Sequence, residues 1–187
     1  MKKIPTIFLR NHETHQLTAE PNPECDWVFA GEGRPTRKFD GMSVLVTSKT
    51  FSKRCELKPG KPEPLGFKAI DYDEITGKRV GWIPVGPGPE DQYLREAFNH
   101  WQASGGRASL DEGTYEAVGP HIQGNPEQYA EHVLIFHGIE PCTDVPRNFE
   151  SIKLFLSPGA IEGIVYHHPD GRMAKIKAKD FGIRRAT

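Results

Sequence analysis

The stretch that decides the fold runs Ile161-Glu162-Gly163-Ile164-Val165-Tyr166-His167, then Pro169-Asp170-Gly171, then Arg172-Met173-Ala174-Lys175-Ile176-Lys177. Pro-Asp-Gly is a tight-turn sequence, and the apolar runs beside it predict two closing antiparallel strands, Ile161 to His167 and Arg172 to Lys177. Successive side chains of a strand alternate faces, so Lys175 and Lys177 share one face and Ile176 takes the other. Two ammonium groups on one face next to Glu162 suit an anionic ligand such as a polyphosphate. The plainer alternative is an amphipathic edge strand with its lysines in solvent.

Working back from the hairpin, Phe149, Ile152, Phe155 and Leu156 lie on one side of a helix over 149–156, with Asn148 placed to cap it. Val133 to Phe136 is an apolar strand, Thr114 to Val118 another, and Pro126 to His132 reads as a short helix. A longer helix runs from about Glu90 to Ala103: Tyr93, Ala97 and Trp101 recur at i, i+4, i+8, and Gly105-Gly106 stops it. Strands are expected at Ser43 to Thr50, Phe51 to Leu57, Gly66 to Tyr72 and Arg79 to Val85. The Pro-rich run Lys58 to Pro64 must be a loop. Strands outnumber helices and seldom alternate with them, which predicts an α+β fold of mainly antiparallel sheets with flanking helices. One domain over 1–187 is expected, with residues 1–30 an irregular leading segment.

Composition narrows the function. The chain has 187 residues, 24 Lys plus Arg against 25 Asp plus Glu, and 36% hydrophobic residues, so a disordered polyelectrolyte is excluded. With a formal net charge of -1, any nucleic-acid site must rest on a local patch. Two patches exist: Lys49, Lys53, Arg54, Lys58 and Lys61, and the cations from Arg172 to Arg185 (Arg172, Lys175, Lys177, Lys179, Arg184, Arg185). Cys25, Cys55 and Cys142 are far apart and form no CxxC, which predicts free thiols in a reducing compartment. The absence of a long apolar run predicts no membrane partner and a cytoplasmic location.

Several devices are missing: there is no GxxxxGK[ST], no GxGxxG after a strand and no GxSxG. His12-Glu13-Thr14-His15 falls one residue short of HExxH and offers only a weak metal site. What remains is an ordered set: Lys38-Phe39-Asp40-Gly41 before the first strong strand, then Tyr115-Glu116-Ala117-Val118-Gly119, then Val133-Leu134-Ile135-Phe136, then Glu162-Gly163, then Lys175-Ile176-Lys177.

That order resembles the covalent nucleotidyltransferases, the polynucleotide ligases and mRNA-capping enzymes. Gly81-Trp82-Ile83-Pro84-Val85, the stretch Tyr115 to Pro126, His132 to Gly138 and Ile161 to His167 are similar to the compact ATP-dependent 5′-to-3′ RNA ligases of vertebrates, with bacterial and viral relatives. The similarity covers about residues 34 to 183. It implies the ligase adenylation-domain fold without an OB domain, and a monomer that joins RNA ends bearing a 5′-phosphate and a 3′-hydroxyl.

Carried over residue by residue, the resemblance makes Lys38 the nucleophile that attacks the α-phosphate of ATP. Such an amine must be neutral, and only on the order of one ordinary lysine in a thousand is neutral near pH 7, so neighbouring cations and desolvation are expected around it. Asp40 and Glu162 match acidic positions that orient the lysine and hold Mg²⁺ (Mn²⁺ is possible). Lys175 and Lys177 match the pair on the phosphates, Arg54 the arginine near the ribose or incoming 5′-phosphate, and Glu116 the carboxylate on the ribose hydroxyls. Phe136 is the candidate for stacking on adenine, with core packing the alternative, and Thr36 and Arg37 are candidates for backbone contacts to the base. The rival readings are a DNA ligase or guanylyltransferase core, which the lack of an OB domain disfavours, a non-catalytic nucleotide or RNA-end binding module, and a metal hydrolase on His12 and His15.

Overall fold

Short strands rich in β-branched residues bury one face only when they find partners, and among the described residues they find them in three separate sheets. The computed structural model describes residues 3–11, 13–106 and 111–186; His12 lies outside them. In chain order the elements are β1 (Phe8–Arg10), β2 (Leu17–Pro21), α1 (Asp26–Phe29), β3 (Arg34–Lys38), β4 (Met42–Val46), β5 (Phe51–Leu57), β6 (Lys68–Asp73) and β7 (Lys78–Pro84). They continue with α2 (Gln92–Ala103), β8 (Gly113–Val118), β9 (Val133–Phe136), α3 (Phe149–Leu156), β10 (Gly163–His167) and β11 (Met173–Lys177). The class is α+β, and all pairings between these strands are antiparallel. The chain divides into two compact units: Asp40–His137 with Met1–Lys3, and Ile4–Phe39 with Gly138–Thr187.

In the unit of Asp40–His137, six strands form one sheet in the order β6-β7-β5-β4-β8-β9. Val44, Val46, Tyr115 and Ala117 bury one face of it in a cluster with Leu94 of α2 and Ile122. Phe51 stacks on Phe98 of the helix, ring centroids 4.4 Å apart. Each such side chain taken from water contributes about 1.5–3 kcal/mol, which is why the stripe Tyr93, Ala97, Trp101 becomes a packed helix and not a free one.

The unit of Ile4–Phe39 and Gly138–Thr187 is built on the sheet β11-β10-β3. Ile164, Tyr166, Ala174 and Ile176 are fully buried on one face, against Trp27 and Val28 of α1 and Ile152 and Leu156 of α3. The Asn148 side chain accepts a hydrogen bond from the Ser151 amide at 3.0 Å and caps α3 as expected. Both outer edges of the sheet are covered. Lys175 bonds through its backbone to Pro5 and Ile7 (2.9 and 3.0 Å), and the segment 140–142 bonds to Pro35 and Arg37 on the far side. Edge backbone that would otherwise template aggregation is thereby satisfied.

Two expectations are corrected. Residues 8–29 are not irregular: β1 pairs with β2, and Ile7, Phe8, Trp27 and Val28 enter the core. Their apolar residues are too sparse for a periodic signal, and many of their core partners, Ile152, Leu156, Ile164 and Ile176 among them, lie more than a hundred residues away. Residues 126–132 form no helix. Asn125 and Gln128 take positive φ (55° and 57°), and the Asn125 side chain bonds the Tyr129 backbone in both directions at 3.0 Å. Left-handed residues at that spacing interrupt a helix and leave a clamped turn. The cysteines are free, and no helix among the described residues is long and apolar enough to cross a membrane.

Candidate functional site

Strand register decides which charges meet. Gly163 of β10 stands opposite Lys38 of β3 on one side and Lys177 of β11 on the other. The two lysines start two strand spacings apart, roughly 9–10 Å, on the same face of the sheet. Glu162, the residue before β10, lies between them. Lys38 Nζ donates to Glu162 Oε2 and Lys177 Nζ to Glu162 Oε1, each at 2.5 Å. Lys38 Nζ also reaches the Phe39 carbonyl at 3.3 Å.

Gly163 is required here for space. A Cβ on it would lie 2.2 Å from the Ile176 carbonyl oxygen and 2.8 Å from Lys177 Cα. Its bare backbone lets β10 and β11 close up, so that both ammonium groups converge on one carboxylate. The carboxylate of Glu162 is nearly buried, at 8% side-chain exposure, and the lysines keep 21% and 18%. Burial pushes the Glu162 acid up, but the positive charges of Lys38 and Lys177 outweigh it, and the net direction is down from the usual carboxylate value. The site therefore holds an ionised carboxylate and two cations, a surplus of positive charge on a half-buried face.

Lys175 shares that face: it stands opposite Val165, which is opposite Thr36. Thr36 is buried, donates through its hydroxyl to the Val165 carbonyl (3.2 Å) and meets His167 Nε2 at 3.0 Å. Arg37 lies on the other face, opposite Ile164. Its guanidinium sits 4.6 Å over the Phe39 ring, and its amide donates to the Glu140 carbonyl at 2.9 Å. The Arg37 N–H expected for a ligand is thus already used.

The remaining expected residues lie in the unit of Asp40–His137, where a second polar group assembles. Glu116 of β8 is buried; its Oε1 accepts from the Gly41 amide (3.0 Å) and its Oε2 meets His137 Nε2 (2.8 Å). Gly41 also stands where a Cβ would lie 2.1 Å from the Ala117 carbonyl oxygen. The Asp40 amide donates to Glu127 Oε1 at 2.9 Å. Ser43 pairs with Glu116 across the sheet, and Arg54 follows one step along the register that sets Val44 opposite Lys53. Arg54 Nε and Ser43 Oγ are buried and, among the described residues, have no hydrogen-bond partner. Donors left in that state cost about 1–3 kcal/mol each unless a ligand or water satisfies them, so the group suits an oxygen-rich ligand.

Phe136 is separated from Glu116. It stands opposite Tyr115, a residue of the α2-facing core, with ring centroids 5.1 Å apart, whereas Ile135 stands opposite Glu116. Phe136 therefore takes the core-side face and Glu116 the other. His137 and Ser43 were not singled out from sequence. The alternation from Ile135 to His137 carries the signal for the former, but only strand pairing shows that this face bears Glu116.

The residues do not fit a resident Mg²⁺ or Mn²⁺. Both Glu162 oxygens hold ammonium groups, and among the described residues no group of three or more His, Cys, Asp or Glu could hold a metal ion.

No family model matches the sequence. Among characterised proteins the chain is similar to RNA ligase 1 of Danio rerio, 33% identical over 86 residues, covering 41% of this chain and 26% of that protein. The chain thus spans about a quarter of the relative it matches. The likeness is distant and partial.

Proposed function

We propose that this chain carries the adenylating centre of an ATP-dependent RNA ligase. The observation that carries the reading is the Lys38 amine, held at 2.5 Å on the buried Glu162 carboxylate beside Lys177 on one strand face. The partial likeness to an RNA ligase supports it.

In the first step Lys38 Nζ, after losing a proton to water, attacks the α-phosphorus of ATP. An N–P bond forms, the bond to the β-phosphate oxygen breaks, and pyrophosphate leaves with the electron pair. A carboxylate acidified by two cations is a poor base, so the role of Glu162 is to aim the amine. Lys177 and Lys175 face the same side and offset the charge that builds on the phosphate oxygens. In the second step a 5′-phosphate oxygen of RNA attacks the same phosphorus, the N–P bond breaks, and Lys38 takes up a proton. In the third, a 3′-hydroxyl oxygen attacks the RNA 5′-phosphorus with loss of its proton to water, the phosphodiester forms and AMP departs. Glu116, His137, Ser43 and Arg54 form the polar group that we assign to sugar hydroxyls and phosphate oxygens.

The test is incubation with α-labelled nucleoside triphosphates, all four in parallel, in magnesium buffer. ATP is expected to label the protein through an acid-labile, base-stable phosphoramide, and Lys38→Ala to abolish the label. Absence of label, or label that persists in Lys38→Ala, overturns the reading. Nicked duplexes, single-stranded RNA and DNA offered in turn identify the substrate, and DNA joined as well as RNA overturns the RNA assignment.

A further inference from the structure

The unit of Ile4–Phe39 and Gly138–Thr187 holds a cavity of about 430 Å³ that the adenylation chemistry does not use. Three cations line it: Arg10 of β1, Lys153 of α3 and Lys179 of the short helical turn after β11. Its one acidic lining residue, Asp180, is tied down twice. Oδ1 holds Arg10 Nη2 at 2.5 Å, and Oδ2 accepts from the Lys177 amide at 2.9 Å. Arg10 also donates to the His15 carbonyl at 3.0 Å, which fixes its guanidinium at the cavity edge. Among the described residues Lys153 and Lys179 form no salt bridge. Two half-buried rings, Phe149 and Phe181, also line it, edge-on to each other at 5.1 Å, beside His15 and Gln16.

From this we infer that the cavity is a second site, distinct from Lys38, that takes one nucleotide of a single-stranded RNA. Cations meet its backbone phosphates and the phenyl rings its base. The volume falls in the range of pockets that enclose small organic ligands. Cationic grooves interleaved with aromatic rings are how single strands are held without sequence preference. Asp180 couples the site to the reaction centre, because the carboxylate that steadies Arg10 also fixes the backbone of Lys177. The choice of an RNA strand as ligand rests on the RNA ligase reading; the site itself rests on the cavity.

The experiment measures binding of a fluorescent 12-nucleotide single-stranded RNA by anisotropy between 50 and 200 mM KCl, alongside self-labelling with ATP. Each lost phosphate contact is expected to flatten the plot of log affinity against log salt by about 0.7 for a single strand. Lys153→Ala is expected to flatten it by about 0.7 and Lys153→Ala with Lys179→Ala by about 1.4, while Lys153→Arg restores the slope. Lys153→Ala is expected to label with ATP as the parent does. Inorganic tripolyphosphate is expected to compete far less well than unlabelled RNA. Unchanged slopes in both alanine variants, no binding of RNA by the parent, or tripolyphosphate competing as well as RNA of equal charge overturns the strand site. Loss of ATP labelling in the parent overturns the ligase reading instead, with the slopes still testing the cavity.

Discussion

Replacing Glu162 by Gln keeps the shape of the side chain and removes the charge on which Lys38 and Lys177 both rest. Two ammonium groups would then face a single amide, with one of them opposite an N–H₂ donor. Removing one partner of a fully buried ion pair costs about 3–5 kcal/mol, and because the lysines keep about a fifth of their exposure we take about 2 kcal/mol. For a chain of this size that lowers Tm by about 4–8 °C at pH 7. The pH dependence carries the sign. The folded acid lies below its ordinary value of 4.5, so the unfolded chain binds more protons as pH falls through this range. The stabilisation is fully present above about 4.5 and is lost as pH drops through the lowered folded value. The gap in Tm between the parent and Glu162→Gln, followed by calorimetry from pH 7 down to 3, is therefore expected to close on the acid side. Self-labelling with ATP at pH 7 should fall by on the order of 100-fold, since a mis-aimed nucleophile forfeits orientation and charge balance together. A variant as stable as the parent at pH 7, or one labelling within about threefold of it, would refute the shared-carboxylate reasoning.

Gly163→Ala is expected to destabilise the protein by about 2–4 kcal/mol in urea unfolding, because the new methyl meets backbone on β11 and not a yielding side chain. Asn148→Ala removes the cap on α3 and should cost about 1 kcal/mol in the same assay, with ATP labelling unchanged. His137→Ala leaves Glu116 with only the Gly41 amide; titration of labelling against ATP should show a raised half-saturation concentration with a smaller change in the maximal rate.

Local chemistry made much of this structure legible beforehand. The turn at Pro169-Asp170-Gly171, the cap at Asn148, the apolar stripe of α2 and the shared face of Lys175 and Lys177 each depend on residues within a few positions of one another. Their spacing alone specifies them. Which strands become neighbours is a different matter. β3 pairs with β10 across more than a hundred residues, and that pairing alone sets Lys38 against Glu162. Period two says which residues of a strand share a face but not what the face looks at. For Phe136 only the pairing of β9 beside Tyr115 puts the ring, 43% exposed, on the face away from Glu116. The leading segment was opaque for the same reason: Ile7 and Phe8 form no pattern of their own, and become core because β11, α1 and α3 bury them. The sequence by itself determined turns, caps and strand faces, which short-range sterics and hydrogen bonding control. Only the tertiary fold decided the strand neighbours, and with them where the charges meet.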